Sequence, residues 1–518
     1  MAADNRMSTR TTQACLPCKT RKKKCNRGLP SCNYCILKDL ECRYAAPRRR
    51  DYDTSSVYTV RPSETIDDST GDLPGGRSVS RKAGNLYRPL FESLDDIYLE
   101  VRNIINSTGE FVDDLTARYF KNFHSNLPVI SRMRFQSSLT AGSPSPDASV
   151  LLLAICLLVY LPSPDMVPRD SHIERDMPVT SRQSLYLATK SLLAQVQGSM
   201  TPSIALIQAS LLLATYEYAS GRPEAALITL SGCARMAYAA RIQTVHSNSR
   251  NSTNFESRFE IEEAANTWWG IVISERAFMC EIDDLDQPMS TTFPPGDARL
   301  PIDRDILDRG HLVSPDSIPS IPLSSMTLTT TTVTAIGGFA RAAQASCLLD
   351  QVQQGMAIPD LNTKLLLLES LDRTIQSFLA GVLNHNPQAS SPYCTALAIT
   401  VRTLFTLHTH ILTIPQTSIS ANLRPLLDWK KSSLAALDTV TTMVLDMSEW
   451  HCSRLPWDGT NDTSPVHIYA VRAALEHVRT RAGIYLFDED SPYQCPWGGG
   501  AEGVLRGYLD GVRRQWGG

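Results

Sequence analysis

The chain has 518 residues, of which 42% are hydrophobic and 20% are charged, and its formal net charge at pH 7 is −3. This length is too great for one ordinary domain, and this composition excludes a wholly disordered protein. The small net charge hides an asymmetry: residues 1–50 contain 13 Lys and Arg against 3 Asp and Glu, whereas the remaining residues contain 37 against 50. This distribution predicts an anionic partner for the basic N-terminal segment alone and not for the acidic remainder.

The N-terminus is polar and has no apolar stretch before a cleavage site, so we expect a disordered N-terminus over 1–14 and no secretory signal. The most apolar run, VLLLAICLLVYL at 150–161, is too short to span a bilayer, so we expect a buried helix and no membrane partner. An intracellular chain keeps its thiols reduced, and clustered cysteines then bind metal more often than they form disulfides.

Six of the 13 cysteines lie between residues 15 and 42, and the other seven are scattered singly. Their spacing is C-x2-C-x6-C-x6-C-x2-C-x6-C, two similar halves that each supply three sulfurs. Structural zinc binds four ligands in a tetrahedron, so six cysteines satisfy two Zn²⁺ ions only if two of them bridge. The repeat indicates Cys15 and Cys32 as the bridging pair. The predicted metal ligands are Cys15, Cys18, Cys25, Cys32, Cys35 and Cys42.

Three rival structures for the cysteine cluster are less favoured than structural zinc. A disulfide knot needs an oxidising compartment, and an iron–sulfur site would use only four of the six cysteines. A metal-buffering peptide would have denser cysteines without ordered spacing. Because the segment is too polar to form a core of its own, we expect it to unfold without metal.

A block of positive charge lies between the second and third cysteines. The candidate DNA-binding residues are Lys19, Arg21, Lys22, Lys23 and Lys24. We expect a short helix from Cys18 to Cys25, on which Arg21 and Lys24 share a face. Such a helix can enter the major groove of DNA, where Arg or Lys binds the O6 and N7 atoms of guanine. The alternatives are that these charges only neutralise the metal cluster or form a nuclear import signal.

The segment ACLPCKTRKKKCNRGLPSCNYCILKDLEC resembles the fungal binuclear zinc cluster, the Zn2Cys6 DNA-binding domain, across its whole length. Lys19 and Asn26 stand where that family often has Arg and Asp. The resemblance implies that the first and fourth cysteines bridge the ions, which matches the ligand count. It also implies that Arg21 and Lys22 contact the bases of a CGG-like triplet, whereas Lys19 and Lys24 contact phosphates.

After this module, placed at 15–46, residues 47–85 are polar and predict a flexible linker. The next apolar residues follow 3-4-3-4 spacing; they are Tyr87, Leu90, Leu94, Ile97, Val101 and Ile104. Pro89 and the NSTG at 106–109 limit this helix to about two heptads, fewer than a coiled coil needs. We expect a helix docked on the large domain, and a homodimer is left open.

From 86 to 518 apolar residues recur at three- and four-residue spacing, and the alternation typical of strands is rare. We therefore predict a mostly α protein, in which a small zinc-stapled N-terminal DNA-binding module precedes a large all-helical regulatory domain. The low-complexity stretch at 314–334 predicts a disordered insertion.

Three segments of this region, LTARYFKNFHSNLPVI, SIALIQASLLLATYEYASGRPEAALITLSGCARMAYAARI and EEAANTWWGIVISERAFMCEIDDLDQP, resemble the fungal-specific transcription factor domain. Glu275 and the DQP at 286–288 depart from its usual Asp and Gly-Arg-Pro.

The chain contains no H-E-x-x-H, G-x-S-x-G or P-loop sequence, and His124, His408, His410 and His451 have no partners in sequence, so we expect no enzyme and no catalytic residues. The favoured hypothesis is a nuclear regulator of RNA polymerase II transcription that binds double-stranded DNA and recruits the transcription machinery or coregulators. Its architecture resembles that of regulators of secondary-metabolite gene clusters. The alternative is a zinc-stapled adaptor for nucleic acid or protein, with a helical domain that senses a ligand or binds partners.

Overall fold

A computed structural model describes 14–15, 18–19, 21, 23–27, 31–38, 42, 96–140, 144–161, 181–244, 255–282, 287–309, 321–324, 336–385, 393–415, 423–453, 464–487, 497 and 500–516. The chain divides between Gly84 and Asn85 into two units. The predicted linker at 47–85, and all of the predicted disordered N-terminus except its last residue, lie outside the described residues. Within the described residues the fold is helical and contains no strand, as the sequence predicts.

The first unit contains the helix α1 (Asn33–Leu37). The helices in the first half of the second unit are α2 (Asp96–Ser107), α3 (Val112–Lys121), α4 (Arg132–Thr140), α5 (Pro146–Val159), α6 (Arg182–Ser199), α7 (Ile204–Ala219), α8 (Pro223–Ala239) and α9 (Phe255–Met279). Those that follow are α10 (Arg304–Arg309), α11 (Gly338–Met356), α12 (Leu361–His385), α13 (Cys394–Thr413), α14 (Leu423–Ser453), α15 (Pro465–Phe487) and α16 (Ala501–Trp516). Short 3-10 turns lie at Phe123–Ser125 and Ile242–Thr244.

Two helices of the second unit are buried on every face. All residues from Ala148 to Val159 in α5 are buried, and so are all residues from Leu206 to Ala219 in α7. A helix that is apolar all round belongs in the interior, and α5 packs against α2, α3, α6 and α7. The apolar run at 150–161 is therefore a buried core helix, as predicted. In the described part of the chain, no helix is both long and apolar enough to cross a membrane.

A stack of aromatic rings joins the first and second halves of this helical unit. The ring of Tyr218 in α7 lies 4.0 Å from that of Phe278 in α9 and 4.1 Å from that of Tyr469 in α15, measured between centroids. The hydroxyl of Tyr469 also donates to the backbone carbonyl of Tyr218 at 2.7 Å. Buried aromatic pairs stabilise a core beyond the area they bury, and here they connect helices more than 200 residues apart in the chain.

The helix that could have formed a coiled coil is docked on the helical unit, as predicted. In α2 the side chains of Ile97, Val101 and Ile105 are buried, and the helix packs against α5. The apolar series predicted from 3-4-3-4 spacing included Ile104, which is only half-buried. The buried residues are instead spaced by four, from Ile97 to Val101 to Ile105. The three earlier residues of the series lie outside the described residues.

The predicted disordered insertion at 314–334 is wrong over its residues 321–324. The amide of Leu323 donates to the backbone carbonyl of Ala298 at 2.8 Å, and the Leu323 side chain is buried. These residues pair with the stretch before α10 because an Ile-Pro-Leu run gives the segment an apolar anchor that its composition as a whole does not suggest. The other residues of the insertion lie outside the described residues.

Candidate metal centre and nucleic-acid interface

Four thiols of the first unit form one buried group. The sulfur atoms of Cys15, Cys18, Cys32 and Cys35 all lie within 4.8 Å of one another, and the side chains are at most 1% exposed. The Cys15 sulfur is 3.6 Å from that of Cys32 and 3.7 Å from that of Cys35, and the Cys18 and Cys32 sulfurs are 3.6 Å apart. A disulfide bond is about 2.0 Å long, so these thiols are free.

The spacing of the sulfurs fits zinc. A tetrahedral ion with Zn–S bonds of about 2.3 Å holds its sulfurs about 3.8 Å apart. The distances within the buried group are close to this value, and the sulfur of half-buried Cys25 lies 3.8 Å from that of Cys15. The sulfur of Cys42, also half-buried, accepts the backbone amide of Cys32 at 3.2 Å. Soft thiol donors at tetrahedral spacing form a site suited to Zn²⁺.

All four buried sulfurs have neighbours in both halves of the repeat. The Cys15 sulfur lies beside Cys25 of the first half and Cys35 of the second. The Cys32 sulfur lies beside Cys18 of the first half and accepts the Cys35 amide of its own half at 3.5 Å. Bridging ligands need a central position of this kind, and the assignment of Cys15 and Cys32 as the bridges stays a prediction.

The protonation of the thiols shows why a cation belongs at the centre. Burial raises the pKa of Cys35 to about 12, and its contacts with the Cys32 and Cys15 thiols add to this effect. Burial also raises the pKa of Cys18, as do contacts with Cys15 and Cys32. Burial acts in the same direction on Cys32, but hydrogen bonds with Cys35, Cys15 and Cys18 together outweigh it and lower the pKa of Cys32 to about 6. Thiolates are the metal-binding form, and a bound cation removes the cost of collecting them in one place.

A side chain that was not among the predicted site residues links the two halves of the module. The Oδ1 atom of Asn26 accepts the backbone amide of Asn33 at 2.8 Å, at the first residue of α1. Arg27, the next residue, has φ of +60°, and its amide donates to the sulfur of Cys25 at 3.4 Å. Asn side chains commonly satisfy free amides at helix N-termini, but the seven-residue separation hides this contact from a sequence pattern.

The described members of the basic block are all exposed; they are Lys19, Arg21, Lys23 and Lys24. The fifth candidate DNA-binding residue, Lys22, lies outside the described residues. The four exposed residues all lie between Cys18 and Cys25, two of the predicted metal ligands. The geometry therefore presents a positively charged surface next to the metal site, which is suited to a phosphate-bearing partner.

The predicted helix from Cys18 to Cys25 is shorter than expected. The backbone is helical at Cys18 and Lys19, and the amide of Lys23 donates to the carbonyl of Cys18 at 2.9 Å. Lys23 to Cys25 are not helical. The prediction that Arg21 and Lys24 share one face of a helix is therefore wrong, because Lys24 lies outside the helix. The hydrogen bond between Lys23 and Cys18 spans five residues, one more than an α-helical bond does.

The histidines noted in the helical unit take part in core contacts. His124 is fully buried, with its Nε2 3.4 Å from Asp308, and burial lowers its pKa. His408 lies within hydrogen-bond distance of Ser433, with 3.1 Å between Nδ1 and Oγ. These two histidines therefore occupy positions in the packed interior, as the sequence predicts.

Glu275, which departs from the family pattern, is a buried structural anchor. Its carboxylate accepts the amides of Ser290 at 2.6 Å and Thr291 at 3.0 Å. Arg276 donates to the same carboxylate at 2.7 Å and to Asp350 at 2.7 Å. The longer Glu side chain thus ties the end of α9 to the turn after it.

Comparison with known families divides the chain in the same way as the structure. Residues 13–51 match the fungal Zn(2)-Cys(6) binuclear cluster domain, and residues 116–280 match the fungal specific transcription factor domain. The first unit is therefore similar to a binuclear zinc cluster domain, and the second unit contains a region similar to a fungal transcription factor domain. The second match covers α7 to α9 and therefore most of the aromatic stack, and the first covers all six clustered cysteines.

Two curated relatives carry related sequence. Transcription factor BOA15 of Botryotinia fuckeliana is 30% identical over 128 residues, which are 25% of this chain and 65% of that protein. An uncharacterised transcriptional regulatory protein of Schizosaccharomyces pombe is 31% identical over 75 residues, 12% of this chain and 13% of that protein. The aligned regions thus span less than two thirds of either relative.

Proposed function

We propose that this protein is a sequence-specific DNA-binding regulator of transcription whose zinc module recognises a CGG-like triplet. The observation that carries the proposal is the buried group of four thiols at tetrahedral spacing directly beside an exposed basic block. Zinc supplies structural cross-linking here, because a segment without an apolar core has no other means to hold one conformation.

In the proposed metal centre, two Zn²⁺ ions share six thiolates, with Cys15 and Cys32 as bridges. Six thiolates and two divalent ions leave about −2 on the cluster. The backbone amides of Arg27, Cys32 and Cys35 point at sulfurs and offset part of this charge. The neighbouring Lys and Arg side chains offset more of it and also favour deprotonated sulfur.

In the proposed complex with DNA, Arg21 and Lys22 contact guanine edges in the major groove, and Lys19 and Lys24 contact phosphates. Lys23 contributes to the positive field of the module. Exposure of the described side chains supports their contact with DNA, because a residue that binds phosphate or a base must be accessible to it.

The acidic helical unit is proposed to regulate transcription by contact with coregulators or the transcription machinery in the nucleus. Support comes from its match to the fungal transcription factor domain and from two relatives that are named as transcriptional regulators. Control of a secondary-metabolite gene cluster is the proposed pathway, and homodimerisation would pair two triplets in one site.

The test is selection of binding sites from random DNA by the zinc-loaded full-length protein, followed by titration of variants at several salt concentrations. Arg21→Ala and Lys22→Ala should each cost about 1–3 kcal/mol on the selected site and relax base choice. Lys19→Ala should weaken binding to all sequences alike and reduce the salt slope by about one. Lys431→Ala changes an exposed lysine of α14 and should leave binding unchanged.

Selection without any preferred triplet would contradict sequence-specific recognition. Equal losses on selected and random DNA for all three basic-block variants would contradict the assignment of Arg21 and Lys22 to base contacts. The recovered sites also report the number and spacing of triplets, so sites with a single triplet would contradict the homodimer.

A further inference from the structure

A cleft opens where α12 ends, α13 begins and α14 approaches its C-terminus. Its volume is about 300 Å³, at the lower end of the range for small-molecule sites, and it reaches the solvent. Its walls are mainly apolar, and they include Leu383, Leu397, Met443, Met447 and Trp450. This cleft belongs to neither the metal centre nor the basic surface.

Helix α14 brings different chemical groups to the same side of the cleft. Met443, Asp446, Met447 and Trp450 stand at positions i, i+3, i+4 and i+7, which share one face of a helix. Two thioethers and an indole ring therefore line the same space as a carboxylate. The carboxylate is exposed at the mouth, whereas both methionines and the tryptophan are half-buried.

The charge of the cleft selects among possible ligands. Among the described residues that line it, Asp446 is the only acidic one, and none is Lys or Arg. His451 also lines the cleft, and its Nδ1 lies 2.7 Å from the carbonyl oxygen of Met447, which orients its ring along the wall. Aromatic faces such as that of Trp450 attract cations, and a nearby carboxylate adds to this attraction.

We propose that this cleft binds a small apolar molecule that carries one protonated amine. The apolar body lies between the methionines, Leu397 and the Trp450 ring, and the ammonium group lies against the Asp446 carboxylate. Binding of such a ligand removes the apolar surfaces of both ligand and cleft from water. The ammonium group pairs with the carboxylate at the exposed mouth of the cleft, where the ammonium group stays partly hydrated.

The wall of the cleft continues into the last helix of the chain. The ring of His451 lies 5.3 Å from that of His467 in α15 and 6.1 Å from that of Tyr508 in α16. The hydroxyl of Tyr508 pairs with Nδ1 of His467 at 2.8 Å. A ligand that shifts His451 therefore acts on the packing of α16. Its effect on gene expression rests on the proposed function, whereas its binding does not.

The test uses calorimetric titration of the zinc-loaded full-length protein with three probes that share one ring system. The probes are 1-naphthylmethylamine, 1-naphthylmethanol and 1-naphthaleneacetate, which are cationic, neutral and anionic at pH 7. We expect the amine to bind at one site per chain, about fivefold more tightly than the alcohol, and the acetate to bind most weakly. Asp446→Asn should remove the difference between amine and alcohol.

The matched control for charge is Asp428→Asn, an exposed aspartate of the same helix that does not line the cleft. It should preserve the order of the three affinities. Met447→Trp should fill the cleft and abolish binding of all three probes. Leu383→Trp, at a position that is 41% exposed, does the same with little risk to folding.

Equal affinities for the three probes, no saturable binding, or the same result for Asp446→Asn and Asp428→Asn would each overturn the proposal. DNA binding of the same preparations is measured in parallel. A failure confined to the naphthyl probes therefore leaves the proposed function intact, and a failure confined to DNA leaves the cleft intact.

Discussion

The two units of the molecule solve the problem of stability in different ways. Among the described residues, the buried cluster of the first unit consists of Cys15, Cys18, Cys32 and Cys35, whereas that of the second extends from Ile97 to Trp516. Each buried aliphatic or aromatic side chain contributes about 1.5–3 kcal/mol, so the second unit accumulates stability from many small terms. The described residues of the first unit supply no such terms, so we expect its stability to come from a bound metal.

This difference predicts opposite patterns of sensitivity. The first unit should lose its structure in one step when a single ligand or the metal is removed, because the other contacts between its halves in the described residues are few, such as that between Asn26 and Asn33. In the second unit, each substitution should lower the free energy of unfolding by its own amount. That amount is set by how buried the side chain is and by which partners lose their contact.

The largest effect is expected from removal of the metal. Structural zinc contributes about 10–16 kcal/mol to the folding of small zinc modules at pH 7. Chelation of the full-length protein should release two zinc ions per chain and abolish DNA binding, while the helical circular dichroism signal and its thermal midpoint stay almost unchanged. Zinc release is measured with a metallochromic dye and folding by circular dichroism on the same sample.

Comparison of Cys15→Ser with a substitution of a cysteine outside the metal centre shows whether zinc binding depends on the clustered cysteines. Loss of a bridging ligand should lower the zinc content below two ions and abolish DNA binding. Cys347→Ser changes a half-buried cysteine of α11 and should retain both ions. Two tightly held ions in Cys15→Ser would contradict the bridging assignment.

What could be predicted from the sequence follows the same division. The cluster of thiols is predictable because a regular cysteine spacing encodes it locally. The helices are predictable because apolar periodicity is local as well. The contact between Arg276 and Asp350 joins residues 74 positions apart, and no local pattern reports it. The same holds for the link between Asn26 and Asn33, which depends on the path of the chain around the sulfurs.

The errors have similar causes. The helix predicted to reach Cys25 ends early, because the need to bring sulfurs together overrides local helix propensity. Composition predicted disorder at 314–334, but composition averages over a segment and hides the few apolar residues that pack at 321–324. The cleft between α12, α13 and α14 is lined by three separate helices and is invisible in the sequence of any one of them.

In the helical unit the largest single effect should come from its buried ion network. Arg276 is 2% exposed and donates to both Glu275 and Asp350. Arg276→Ala leaves two buried carboxylates without their cation, which should lower the free energy of unfolding by about 3–5 kcal/mol. Chemical denaturation followed by circular dichroism measures the change.

The matched control is Arg373→Ala, in an exposed pair with Glu369 on α12. Exposed pairs of this spacing contribute about 0.3–0.5 kcal/mol, so this variant should unfold almost like the parent protein. Similar losses in the two variants would contradict the view that burial, rather than pairing itself, sets the cost.

A smaller effect is expected from His467 as the pH falls. Burial lowers the pKa of His467 to about 3, and repulsion from His451 adds to this effect. Because an unfolded histidine titrates near 6.5, between these two values the unfolded chain holds a proton that the folded chain does not, and stability falls as the pH falls. The loss from pH 7 to pH 5 should be about 2 kcal/mol.

Denaturation of the parent protein and of His467→Gln at the two pH values isolates this contribution, because the variant should lose about 2 kcal/mol less between pH 7 and pH 5. His410→Gln changes a half-buried histidine and should show a smaller difference. An identical pH dependence in the parent and in His467→Gln would show that His467 takes up its proton in the folded state.

The smallest effects should have opposite signs within the same helical unit. A Cβ added at Gly270 in α9 would lie 2.9 Å from a methyl carbon of Val129 and 3.0 Å from one of Leu211, whereas at Gly232 in α8 it would meet nothing within 4 Å. Gly270→Ala should therefore cost about 1 kcal/mol, the lower end for overpacking, because the contacts are side-chain methyl groups that can shift. Gly232→Ala should stabilise by about 0.5–1 kcal/mol, because alanine restricts the unfolded chain and favours helix. Chemical denaturation at pH 7 measures both, and stabilisation by Gly270→Ala would mean that the packing between α7 and α9 is looser than in the structure.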